Sequence, residues 1–265
     1  MIIIFWILSI FLLSGFTYFL IRILILRYNK IHKRWGRVIT DNLIIKEKTF
    51  QISEEIAVRG WIYGSTDFIE YDHKMPGIII IPRRDKKYPF FEHWGAHFAL
   101  QGYPALCIEV YDKKLSQRTF VEKYRPILRK IKQEFIQDNS VDPNKIIYFG
   151  CEDSAKLAVL EGIEEEEVKI VCGISMPKIE AEEIQKDRGD TDIYLIHCED
   201  DKVVPITDFE HNRKILKIGP HDFIVYKLGG HNIIGQEPAS SAFFSIKVKQ
   251  KLKPIYKQII KREFA

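Results

Sequence analysis

Hydrophobic and polar positions follow several different rhythms along this chain. From Ile2 to Ile21 the sequence IIIFWILSIFLLSGFTYFLI contains no charged side chain, and the apolar run resumes after Arg22, from Ile23 to Leu26. About 20 apolar residues suffice for a helix to cross a bilayer core, and Arg22 is close enough to the end to reach the interface. Lys46 to Ser65, KEKTFQISEEIAVRGWIYGS, holds two β-rich runs around a polar turn and predicts an antiparallel hairpin. Gly77 to Pro82, GIIIIP, is continuously apolar, as a strand covered on both faces requires.

Phe91 to Gln101 predicts a helix that Gly102 ends, and Ala105 to Tyr111 predicts the next strand. Ser116 to Asp138 carries Phe120, Tyr124, Ile127, Leu128, Ile131 and Phe135 at helical spacing, with Pro126 a candidate kink or break. Strands then follow at Lys145–Phe149, Val168–Ile174, Ile193–His197 and Asp222–Lys227. They alternate with helices at Glu152–Leu160, Asp208–Leu216 and Pro238–Lys261. This alternation predicts an α/β domain whose sheet is mainly parallel and carries helices on both faces. The acidic run Glu164 to Glu167 reads as a solvated loop.

Residues 1–27 are expected to form a transmembrane anchor, residues 28–45 a basic juxtamembrane linker, and residues 46–265 the folded domain. A cleaved signal peptide would need a basic start and a small-residue cleavage site, and neither is present. No lysine or arginine precedes the apolar run, whereas Arg22, Arg27, Lys30, Lys33, Arg34 and Arg37 follow it. The positive-inside rule therefore places the C-terminal domain in the cytoplasm, as a single-pass protein.

Composition narrows the picture further. The 265 residues are 46% hydrophobic and 29% charged, a globular balance without the signature of disorder. A net charge of +4, gathered near the two ends, is too mild for a nucleic-acid binder. Cys107, Cys151, Cys172 and Cys198 contain no CxxC pair and read as small buried residues. His93 and His97 have the i,i+4 spacing of a metal pair, but no third ligand accompanies them. The expected partners are the lipid bilayer, through residues 2–26, and a small-molecule acyl ligand. Nothing points to a particular protein partner. The last helix, with Lys247, Lys249, Lys251, Lys253, Lys257, Lys261 and Arg262, presents either a solvated face or one for anionic headgroups.

Three segments carry the chemistry. VDPNKIIYFGCEDSA, Val141 to Ala155, is a strand running through a glycine into a helix. YLIHCEDDKVVP, Tyr194 to Pro205, is a strand followed by an aspartate ahead of a V-P pair. LGGHNI, Leu228 to Ile233, is a glycine loop delivering a histidine. Together they resemble the α/β-hydrolase superfamily, particularly its dienelactone-hydrolase-like and acyl-thioesterase-like branches. The order nucleophile, acid, histidine is the one expected of that fold. The resemblance spans roughly residues 46–261.

The resemblance implies that Asp201 is the acid and His231 the histidine. It puts Glu152 where the nucleophilic serine of G-x-S-x-G would stand, with Ser154 in place of the second glycine. It also implies an oxyanion-hole loop after GIIIIP, where this chain has Pro82-Arg83-Arg84-Asp85-Lys86-Lys87 and no glycine. No cofactor and no metal is implied. Arg83 and Arg84, at the C-terminal edge of the sheet, are candidate ligand-binding residues for a phosphate or carboxylate group; the alternative is a solvated turn.

A carboxylate at a helix N-terminus beside a histidine admits three roles. It forms a stable ionised cluster without chemistry, it attacks as a nucleophile, or it activates water as a base. The first role makes the protein a pseudoenzyme, a binding or scaffold module of hydrolase descent. The others make it an ester or thioester hydrolase.

Overall fold

The computed structural model describes residues 13–22, 42–66, 74–84, 92–110 and 112–231. The chain divides into two compact units, one of residues 1–37 with 232–265 and the other of Val38–His231. In the first unit, the described residues form a helix, α1 (13–22), whose apolar side chains Leu13, Phe16, Phe19 and Ile21 are exposed. Among the described residues no helix is long and apolar enough to cross a membrane. Most of the apolar stretch 2–26, the linker to residue 41 and the helix expected at 238–261 lie outside the described residues.

The second unit is built on one eight-stranded sheet. Its strands are β1 (Leu43–Gln51), β2 (Ala57–Ser65), β3 (Met75–Ile81), β4 (Ala105–Ile108), β5 (Val141–Cys151), β6 (Val168–Ile174), β7 (Asp192–Cys198) and β8 (Phe223–Tyr226). They lie in the order β1-β2-β4-β3-β5-β6-β7-β8. β1 and β2 form the expected hairpin, and β2 also runs antiparallel to β4. All later pairings are parallel. β1 starts at Leu43, within the segment read from sequence as linker.

Among the described residues, the helices that cover the sheet are α2 (Glu92–Ala99), α3 (Gln117–Phe135), α4 (Asp153–Gly162) and α5 (Ile206–Ile215). Trp94 and Phe98 of α2 pack against Phe149 on one face of β5, with ring centroids 4.9 and 5.9 Å apart. Tyr148, the next residue back, points to the opposite face, as the two-residue period of a strand demands. There it joins the core formed with α3, α4 and Phe209 of α5. Ile78 to Ile81 of β3 are fully buried, so both faces of that strand are covered.

Ser116 caps the start of α3, its hydroxyl accepting the Thr119 N–H at 3.2 Å. Pro126 lies inside this helix and does not end it. Its position is exposed, so water can serve the carbonyl that loses its intrahelical donor.

The acidic run Glu164 to Glu167 differs from the solvated loop expected of it. Arg129 of α3 bonds Glu164 at 2.9 Å and approaches Glu165 at 3.0 Å, and the buried Lys132 bonds Glu167 at 2.8 Å and also pairs with Glu165. Arg125 and Arg129 share the fully buried carboxylate of Glu161 on α4, with Arg125 at 3.1 Å and Arg129 at 2.5 Å. The basic stripe of α3 and the acidic end of α4 are thus one interface.

Candidate functional site

β5 ends at the C-terminal edge of the sheet and turns at once into α4. The turn needs Gly150, where an added Cβ would stand 2.4 Å from the Ser154 carbonyl oxygen. Glu152 forms the apex with φ 55° and ψ −126°, a conformation that L side chains seldom adopt. Strain of this kind costs of order 1–3 kcal/mol and persists where the surroundings over-determine it. Here the Glu152 N–H donates to Ile174 O at 2.9 Å, and its carbonyl accepts from Ala155 and Lys156 at 2.8 and 3.1 Å. Ser154 is fully buried and donates its hydroxyl to Pro82 O at 2.6 Å, which ties the helix start to the end of β3.

Asp201 stands on the loop after β7. Its side chain is inaccessible to solvent, and its Oδ1 accepts the N–H groups of Val203 and Val204 at 2.9 and 3.0 Å. His231 arrives from the loop after β8. Asp200, next to the acid, holds that loop by accepting the N–H of Gly229 at 3.2 Å and that of Gly230 at 2.8 Å. Gly230 has φ +58°, which a glycine adopts without penalty.

The three predicted residues meet. His231 Nδ1 lies 3.0 Å from both carboxylate oxygens of Asp201. Its Nε2 lies 2.6 Å from Glu152 Oε1. That last contact is too poorly aligned for a regular hydrogen bond, so it is an ion pair held by proximity. The same oxygen, Glu152 Oε1, takes Arg83 Nε at 2.6 Å. The side chains of Arg83, Glu152 and His231 are 13%, 17% and 7% exposed. A chain of alternating charge therefore runs from Arg83 through Glu152 and His231 to Asp201.

Arg84 makes the parallel contact one residue on. It pairs with Asp153, donates to Leu115 O at 2.5 Å, and shares Asp153 with Gln117, whose amide lies 2.7 Å from the carboxylate. Arg83 and Arg84 therefore face Glu152 and Asp153 in register. From the sequence, Arg83 and Arg84 are ligand-binding candidates and are not joined to Glu152 and Asp153; their complementary order along two adjacent strand ends is the available signal. Lys86 and Lys87 lie outside the described residues.

Electrostatics follow from this packing. Burial works against a charge on His231, but its hydrogen bond to Asp201 and its ion pair with Glu152 outweigh it and push its pKa up to about 9. Burial likewise works against the Asp201 anion. The hydrogen bonds from His231 and Val204 win and hold its carboxyl below the ordinary value. His197 bonds Val204 O at 3.1 Å and is pushed down by burial. Neutral solution thus finds His231 protonated and already hydrogen-bonded on its Asp201 side. Such an imidazolium cannot accept a proton from water.

The four cysteines are free and buried, and burial raises the thiol of Cys151 well above its ordinary value. His97 pairs its ring nitrogen with Gln101 at 2.8 Å, while the side chain of His93 lies outside the described residues. Among the described residues no cluster of histidine, cysteine or carboxylate is placed to hold a metal.

No family model and no curated protein matches the chain. Solved structures do match. One is MGS-M1, an α/β-hydrolase enzyme from a Medee basin deep-sea metagenome library, with TM-score 0.59, 16% identity, and coverage of 82% of this chain and 97% of that one. A dienelactone-hydrolase-like promiscuous phosphotriesterase from metagenomic libraries matches with TM-score 0.60 and 12% identity, over 82% and 98% of the two chains. Esterase 2 of Thermogutta terrifontis matches with TM-score 0.57 and 12% identity, over 78% and 93%. The chain has the α/β-hydrolase fold.

Proposed function

We propose that this chain is a non-catalytic member of its fold: a membrane-anchored binding or scaffold module in which Glu152 stands where the fold usually carries its nucleophile. The observation that carries this reading is the closed charge chain at the elbow. Glu152 Oε1 is engaged from two sides by Arg83 and His231, each at 2.6 Å. A carboxylate held by two cations is a poor nucleophile and a poor base, because attack requires both ion pairs to be given up. His231, held protonated, cannot activate water in its place.

Arg83 contributes a second argument. It lies on the loop after β3, where an oxyanion donor is expected, and it brings a bulky side chain onto the elbow carboxylate. The N-terminal apolar stretch would tether the module, with the basic residues after it on the cytoplasmic side.

One observation favours a working hydrolase instead. The strained φ of Glu152 and the Asp201–His231 pair are both intact, and each belongs to a catalytic arrangement. The two readings part in a single assay. The full chain is expected to hydrolyse neither esters nor thioesters across pH 6 to 10, and Glu152→Gln is expected to leave that silence unchanged. Turnover by the natural protein that disappears in Glu152→Gln would overturn the proposal and make Glu152 a catalytic carboxylate.

A further inference from the structure

A charged group withdrawn from water needs a partner of opposite sign. Arg83 and His231 come from loops far apart in sequence, yet both direct their nitrogens at one oxygen, Glu152 Oε1. Asp201 neutralises one side of His231, at Nδ1. The Nε2 side faces the elbow, is buried, and lacks a well-aligned acceptor even in contact with Glu152. The first turn of α4 adds its share, since the N–H of Asp153 has no acceptor among the described residues. The half-buried Arg83, the buried His231 and a helix start thus converge on one small anionic group. That group is the end of a flexible side chain and the most exposed of the three charged partners, at 17%.

We propose that Arg83, His231 and the first turn of α4 form a carboxylate-binding site, and that Glu152 is its resident occupant. A ligand bearing a carboxylate enters this site by displacing the Glu152 side chain from the two cations. The site is therefore self-occupied at rest. This inference rests on the non-catalytic reading in taking Glu152 as a partner of the cations and not as an attacking group.

Atom by atom, a glutamate side chain beyond Cβ is a CH2 joined to a carboxylate, which is the heavy-atom skeleton of acetate. Glu152→Ala removes that fragment and leaves Arg83 and His231 facing the vacated space. The test is thermal unfolding of the full chain, natural and Glu152→Ala, in detergent. It is run with sodium acetate, with acetamide as the uncharged analogue, and with sodium chloride at matched ionic strength. The variant is expected to melt below the natural protein. Acetate at a hundredfold excess over its Kd should raise its Tm by about 5–10 °C, with acetamide and chloride ineffective. The natural protein should respond to acetate far less, because its own Glu152 carboxylate competes for the site.

A titration of the His231 imidazole by NMR serves as the second readout. Its pKa should fall in Glu152→Ala and climb again with acetate. If acetate does no better than acetamide, or lifts natural protein and variant alike, the proposal is overturned. Should Glu152→Ala not fold in plain buffer, recovery of folded protein in acetate and not in acetamide would support the site. Glu152→Ser goes through the same comparison, and failure of both variants in every solute would reduce Glu152 to a structural ion pair and overturn the proposal. Ester turnover by the natural protein would sink the non-catalytic reading without touching the acetate result. Acetate indifference would do the reverse.

Discussion

At the residue scale, Glu152 combines an unfavourable backbone with a favourable set of charges. Its positive φ is held by three backbone hydrogen bonds, and its side chain joins two cations. The pH dependence follows from His231. Its folded pKa of about 9 lies above the ordinary 6.5, so its contribution to stability is complete below pH 6.5 and is lost as pH rises through about 9. The loss amounts to something on the order of 3 kcal/mol. Thermal melts of the natural protein should decline over that alkaline window, and His231→Gln should flatten the decline. Asp201 acts in the opposite sense. Its folded pKa is depressed, so its contribution holds above the ordinary carboxylate range and disappears as pH falls through the folded value.

The positions of Glu152 and His231 are legible in the sequence from a strand end and a glycine, and that of Asp201 from a strand end and the V-P pair after it. Arg83 and Asp200 were not legible in their roles. An arginine in a loop has no periodicity to betray its partner. The hold of Asp200 on Gly229 and Gly230 exists only once β7 and β8 lie side by side.

At the element scale, the β5–α4 turn and the α3–α4 interface carry the strongest expectations. Gly150→Ala would push a methyl group against the Ser154 carbonyl and should cost about 1–3 kcal/mol as overpacking. Urea unfolding measures this, and a neutral result would mean that the turn relaxes without loss. Glu161 is fully buried between Arg125 and Arg129. Glu161→Gln removes the buried charge that the two guanidinium groups share and leaves them Glu164, and breaking a buried pair costs about 3–5 kcal/mol. Arg129 remains 43% exposed, so water recovers part of this and the lower end is expected from the same denaturation curves.

The pattern of α3 revealed its apolar face directly, since Phe120, Tyr124, Ile127 and Ile131 recur at helical spacing. The use of its charged face was hidden. Arg125, Arg129 and Lys132 find their carboxylates roughly 32 to 39 residues away in sequence, a distance that no local pattern spans.

At the scale of the whole molecule, the directions of the strands are legible in outline and their order is not. Strand–helix alternation specifies parallel neighbours, and the one early hairpin specifies the antiparallel edge. The proposed anchor belongs to this scale as well. Full-length protein is expected to stay with membranes after alkaline carbonate extraction, and a chain beginning at residue 38 to leave them. Release of the full chain would reduce residues 2–26 to a segment that does not span the bilayer.

The shared oxygen of Glu152 also ties two distant positions together. A serine at position 152 would remove the atom on which Arg83 and His231 converge, so the cost of that change depends on which residue stands at position 83. A double-mutant cycle of Arg83 and Glu152 should therefore depart from additivity.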